Sequence, residues 1–166
     1  MTRKRVAVLI SGRGSNLQAL LDARQDAYEI VLVISNVPGA EGLEKARAAG
    51  VETLTIDHKR FGKDREAFER EIDMELGARA IDIVALAGFM RVLTPFFVRA
   101  WAGHLINIHP SLLPKYPGVN THARALEAGD TEHGATVHLV VEEVDAGEIL
   151  GQARLAISPT DTPETL

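Results

Sequence analysis

Short, unbroken apolar runs alternate with longer stretches of helical period along this chain, and that alternation limits its fold more than any other feature. Val6–Ile10 is apolar at every position and is bounded by the glycine turn Ser11-Gly12-Arg13-Gly14. Such a run predicts a strand buried on both faces, the pattern of a parallel sheet covered by helices. Further strands are expected over Ile30–Ile34, Glu52–Ile56, Ile83–Ala87 and Leu105–Ile108. Between them, helices are expected over Asn16–Ala23, Gly42–Ala49 and Lys63–Gly77, and another should open at Thr94-Pro95. The longest of these repeats Phe68, Ile72 and Leu76 every four residues and carries charges on its other faces. After a proline loop, Thr121–Ala128 reads as a helix. Ala135–Val141 and Ile149–Ile157 read as two strands joined through the turn Asp145-Ala146-Gly147. The expected fold class is α/β, a single domain over residues 1–166: a mostly parallel twisted sheet, helices on both faces, and antiparallel strands near the C-terminus.

Composition narrows the chemistry. With 46% hydrophobic and 25% charged residues, the chain falls in the soluble globular class. Its formal net charge of −5 argues against a duplex nucleic-acid partner, because phosphate backbones attract basic surfaces. The absence of cysteine removes disulfides, thiolate nucleophiles and cysteine metal sites, and suits a reducing cytoplasm. The basic start is followed by an apolar run, Val6–Ile10, too short for a secretory core. No stretch approaches the roughly 20 apolar residues of a membrane helix, so no membrane partner is expected. At the other end, Thr162-Pro163-Glu164-Thr165-Leu166 has the signals of a helix start: a cap, a first-turn proline and an acid at the positive dipole end.

The segment Ser11-Gly12-Arg13-Gly14-Ser15-Asn16 joins the first strand to the first helix. Glycines allow a tight turn and close approach of a ligand, and free N–H groups at a helix start favour an anion. Phosphate binding and an ordinary tight turn both fit these residues. A P-loop does not, since the Gly-Lys-Ser/Thr ending is missing. A dinucleotide fingerprint, and with it a nicotinamide oxidoreductase, is disfavoured: Leu17 stands where the third glycine belongs, and Ser35-Asn36 where an acid would hold ribose.

Asn107 lies in the expected strand Leu105–Ile108 and His109 follows at its carboxyl end, and strand alternation puts both on one face. They fall at the carboxyl end of a strand in a mostly parallel sheet, where ligands gather. Prolines at 110, 114 and 117 stiffen the loop that follows, and one X-Pro bond near Leu113-Pro114 is a candidate for the cis form. An amide donor beside an imidazole suits a tetrahedral oxyanion, with a carboxylate, Asp145, favouring the protonated ring. The same two residues also fit a satisfied structural pair. The six histidines show no i,i+4 pair and have no cysteine to assist them, so no metal site is expected.

Taken together, four segments resemble the phosphoribosylglycinamide formyltransferases, within the 10-formyltetrahydrofolate-dependent formyltransferase family: SGRGSNLQALLDA, AGFMRVLTPFFV, LINIHPSLLPKYPGVNTHARALEAGD and HGATVHLVVEEVDAG. The NIHPSLLP word is shared across formylfolate enzymes, and the glycine loop selects the glycinamide ribonucleotide member. That resemblance implies a Rossmann-like formyltransferase fold and a cytoplasmic enzyme of purine biosynthesis. Its formyl-donor cosubstrate would be 10-formyltetrahydrofolate and its acceptor glycinamide ribonucleotide. The partners are then small molecules, no metal is needed, and a homodimer is left open. Asn107, protonated His109 and Asp145 would be catalytic, and Gly14, Ser15 and Asn16 would hold the substrate phosphate. Arg65, Met90, Arg91, Val92, Leu93 and Asn107, with Val141, Glu142, Glu143, Val144 and Asp145, would bind the folate. His122 and His138 match family positions, the latter as a structural residue, while Asn120 replaces a frequent histidine. The resemblance also implies a C-terminal helix that these residues do not include.

Overall fold

A computed structural model describes residues 2–23 and 26–166. Two compact units are present, Met1–Leu105 and Ile106–Leu166.

The first unit contains four parallel strands: β1 (Lys4–Ile10), β2 (Tyr28–Ser35), β3 (Glu52–Thr55) and β4 (Ile83–Leu86). They lie in the order β3-β2-β1-β4. Helices α1 (Ser15–Asp22), α2 (Glu41–Ala48) and α3 (Arg65–Ala78) provide the crossovers, and α4 (Pro95–Ala100) follows β4. Ala7, Val8, Leu9 and Ile10 are wholly buried, as their unbroken apolar run requires of a central strand. Because the chain first builds outward through β2 and β3 and then returns to place β4 on the other side of β1, the strand order reverses between β1 and β4. A crevice opens at the carboxyl ends of strands where such a reversal occurs. The loops leaving β1 and β4 flank it.

Helix α3 is capped by Asp64, whose carboxylate accepts the Ala67 N–H at 3.0 Å, and buries Phe68, Ile72 and Leu76 as their spacing predicts. Glu69 departs from the expectation that charges occupy only the outer faces: it is 1% exposed. Its carboxylate accepts the Thr94 N–H at 2.9 Å and the Thr94 hydroxyl, so the acid ties α3 to the start of α4. Burial pushes the Glu69 carboxyl up from the usual carboxylate range, and the Thr94 hydrogen bonds partly offset this.

The second unit contains all but the first residue of β5 (Leu105–His109), with α5 (Thr121–Glu127), β6 (Glu132–Leu139) and β7 (Ile149–Ala156). β6 pairs antiparallel with both β5 and β7. It starts at Glu132 rather than Ala135 and stops at Leu139 rather than Val141. Glycine normally weakens a strand pattern, but a Cβ at Gly134 would lie 2.0 Å from the Ala153 carbonyl oxygen. Gly134 therefore permits close pairing with β7 instead of ending the strand. No helix among the described residues is long and apolar enough to cross a membrane.

Two glycines let α1 and α2 converge beside β1. Gly14 has φ +73°, and a Cβ there would meet the Gly42 Cα at 2.8 Å. The Gly42 N–H donates to the Gly12 carbonyl at 3.0 Å, which fixes the approach. Replacing Gly14 by alanine adds left-handed backbone strain to a backbone clash, so Gly14→Ala should lower stability by about 1–3 kcal/mol. Urea unfolding measures this as a lower midpoint at unchanged slope.

Candidate active site

The antiparallel register between β5 and β6 assembles a polar cluster in the second unit. Asn107 lies opposite His138 and His109 opposite Thr136. With a two-residue side-chain repeat, all four are presented on one face of the pair. His109, Thr136 and His138 are buried, and none is left without a partner.

Both ring nitrogens of His109 face oxygen acceptors. Its Nε2 lies 2.9 Å from the Tyr116 carbonyl oxygen, which can only accept, so Nε2–H is the donor. Its Nδ1 lies 3.4 Å from Asp145 Oδ1. Two acceptors at opposite edges of the ring are both served by an imidazolium, which has two N–H donors. Asp145 is itself fixed by the Gly118 N–H, which donates to Oδ2 at 2.8 Å. It adopts φ +55° in the turn at Val144-Asp145, one residue earlier than the expected Asp145-Ala146-Gly147 turn begins, with a bend following at Gly147. A Cβ on Gly147 would lie 1.6 Å from the Leu139 carbonyl oxygen, so this bend can close only over glycine.

The loop after β5 is tied down at several points. Thr136 Oγ1 donates to the Ser111 carbonyl at 2.6 Å and accepts the Leu113 N–H at 3.1 Å. Gln152 Nε2 donates to the Leu113 carbonyl at 2.9 Å. The Leu113-Pro114 bond is cis. Asn120 precedes α5 at φ +57°, a left-handed conformation that asparagine tolerates well. These contacts place the Tyr116 carbonyl at His109. Thr136 and Gln152 were not singled out from the sequence, although the alternation of Thr136 and His138 with Ala135 and Val137 was a usable signal.

In the first unit, Gly14 precedes α1 in the left-handed region, and Ser15 and Asn16 form the exposed start of that helix. The Gln18 N–H to Gly14 carbonyl bond, 2.8 Å, begins the helical ladder, so the amides of the preceding turn lack intrahelical carbonyl partners. Leu17, at the position of a third fingerprint glycine, is wholly buried. The segment Met90–Leu93 leaves β4 and is pinned at both ends. The Met90 N–H donates to Ser11 Oγ at 2.8 Å, and Thr94 is held by Glu69 as described. Met90 and Val92 are 75% and 64% exposed, so they belong to the surface rather than the core. The Arg91 guanidinium lies 5.9 Å from the centre of the Phe68 ring, and Phe68 stacks on Phe89. Arg65 is exposed in the first turn of α3. Val141, Glu142, Glu143 and Val144 form the exposed segment between β6 and the Asp145 turn. Among the described residues, no group of three or more His, Cys, Asp or Glu side chains could hold a metal ion.

Comparison with known families matches residues 4–166 to the formyl transferase family. The chain is 49% identical over 164 residues to the phosphoribosylglycinamide formyltransferase of Escherichia coli, covering 97% of this chain and 77% of that protein. It is 54% identical over 169 residues to the trifunctional purine biosynthetic protein adenosine-3 of Drosophila melanogaster, covering 99% of this chain. The chain spans only 12% of that trifunctional relative. Among solved structures, the phosphoribosylglycinamide formyltransferase of Coxiella burnetii superposes with a TM-score of 0.91 at 49% identity, covering 99% of this chain and 78% of that one.

A second histidine pair lies in the same unit. His122 Nδ1 is 2.7 Å from His133 Nε2, and the rings meet edge to face. Burial, then the charge His122 can carry, push His133 below its ordinary value of 6.5, while Asp130 acts in the opposite direction. The folded state therefore disfavours a proton on His133 that the unfolded chain binds readily. His133 should leave stability undiminished above about pH 6.5 and reduce it as pH falls below that value. Urea midpoints at pH 5.5 and 7.5 measure the difference, which His133→Gln should reduce.

Proposed function

The chain belongs to the formyl transferase family, and from that premise we propose that it transfers a formyl group from 10-formyltetrahydrofolate to N1-(5-phosphoribosyl)glycinamide. The products are formylglycinamide ribonucleotide and tetrahydrofolate, in purine biosynthesis. The observation that carries the mechanism is the His109–Asp145 contact at 3.4 Å, with Asn107 on the same face as His109.

In this mechanism the glycinamide amine attacks the formyl carbon and the carbonyl oxygen becomes an oxyanion. Asn107 donates an amide N–H to that oxygen, and the His109 imidazolium beside it stabilises the developing negative charge. Such fixed donors are worth most where the charge develops. Asp145 orients the ring and balances its charge. As the intermediate collapses, the bond from the formyl carbon to the folate nitrogen breaks. The proton lost by the attacking amine reaches that nitrogen, assisted by Asp145 through water, so atoms and charge balance.

Binding is assigned to the remaining residues. Gly14, Ser15 and Asn16 receive the phosphoribosyl phosphate, an assignment supported by amides without helical partners at a helix start. Met90, Arg91, Val92 and Leu93 line the pteridine. Their support is a segment held by backbone hydrogen bonds with apolar side chains at the surface. Val141, Glu142, Glu143 and Val144 complete the folate site together with Asn107 and Asp145, and Arg65 meets the glutamate end. The partners are small molecules, and a cytoplasmic location belongs to the same proposal.

Steady-state kinetics with both substrates tests the roles. His109→Ala and Asp145→Asn should each lower kcat by about 10²–10³-fold, the range found when a transition-state donor is removed. Wild-type activity in both variants would overturn the roles. Ligand binding by the unaltered chain without product would overturn the reaction.

A further inference from the structure

His138 has no role in the mechanism above, yet its surroundings determine how Asn107 can act. It is 2% exposed and lies directly across the β5–β6 ladder from Asn107. Its Nδ1 is 2.9 Å from the Leu139 carbonyl oxygen. A carbonyl only accepts, so Nδ1 carries the hydrogen. In the neutral ring the lone pair then sits on Nε2, 3.3 Å from Asn107 Nδ2. An amide nitrogen only donates, so this contact runs from Asn107 to His138.

We infer that His138 is a positioning residue: by presenting a ring nitrogen that can only accept, it fixes the Asn107 amide with its NH2 group inward and leaves the second amide hydrogen for the reacting oxygen. The inference rests on the oxyanion role given to Asn107. Rotating that amide by half a turn would set Oδ1 against the Nε2 lone pair, two acceptors facing each other. The Leu139 carbonyl thus determines the tautomer, the tautomer determines the amide orientation, and the orientation makes Asn107 a donor. The other charged group facing the ring is Asp145, whose Oδ1 lies 3.8 Å from Nε2, beyond hydrogen-bond distance. A hydrogen on Nε2 would point toward that carboxylate and leave Asn107 without its acceptor. The contacts to the Leu139 carbonyl and the Asn107 amide are both served when the ring hydrogen is on Nδ1 and Nε2 accepts.

Nitrogen-15 NMR of the unaltered protein reads the tautomer directly, and His138 should be neutral with the hydrogen on Nδ1. A hydrogen on Nε2 would overturn the inference. Kinetics provide the second arm. His138→Leu should lower kcat toward the Asn107→Ala level while each KM stays within about two-fold, the pattern of a lost transition-state contact. His138→Gln, whose terminal oxygen can accept in place of Nε2, should recover most of that loss. In an Asn107→Ala background, His138→Leu should cost less than about two-fold more, because the two residues act through one interaction. Effects that multiply independently would show His138 to be structural only. If His138→Leu does not fold, the glutamine variant and the tautomer still decide. An unaltered protein that forms no product would refute the reaction assignment, while the tautomer would still test the pair.

Discussion

Pairing of β5 with β6 in a single register supports the polar chemistry of this protein, because strand side chains change face at every residue. Asn107 meets His138 and His109 meets Thr136 in the observed register. A slip of one residue would send Asn107 and His109 to the face now occupied by Ile106 and Ile108. The register is protected on its far side by β7, where Gly134 lets two backbones approach and Gln152 reaches Thr136 at 3.1 Å. A strand pair carrying four polar side chains would ordinarily be destabilised by their burial. Here each has a protein partner, so the polar groups lock the pairing instead of opposing it.

The proposed function also draws on segments that are not themselves regular structure. The loop after β5 reaches back to His109 through the Tyr116 carbonyl, and Asp145 is held through the Gly118 amide. In the first unit, the segment after β4 is suspended between Ser11 and the buried Glu69. Backbone anchoring of this kind frees side chains from structural duty. It accounts for Met90 and Val92 standing exposed on an ordered segment, where apolar residues could otherwise be mistaken for core.

Much of the fold was legible in the residues because burial leaves a direct mark on composition. Val6–Ile10 announced a central strand, and Phe68, Ile72 and Leu76 announced the buried stripe of α3. Glycine was harder to read. Gly134 resembles a strand breaker and is in fact the residue that lets β6 approach β7. Glu69 resembled an outward-facing charge, since its partner, Thr94, lies 25 residues further along the chain. A charge shows its burial in sequence only when its compensating partner can be identified.

The division at the site has the same origin. Sequence by itself determined that Asn107 and His109 share a face, that a glycine turn leads into α1, and that a stiff proline loop follows β5, because these are local consequences of strand alternation and restricted dihedrals. Tertiary structure decided that Asp145 lies 3.4 Å from His109, that Tyr116 supplies the opposing carbonyl, and that His138 faces Asn107. The Tyr116 contact depends on how the proline loop folds back. The Asp145 and His138 contacts join residues distant along the chain, and their geometry exists only once antiparallel pairing and the close approach of Gly147 to Leu139 have fixed the distances.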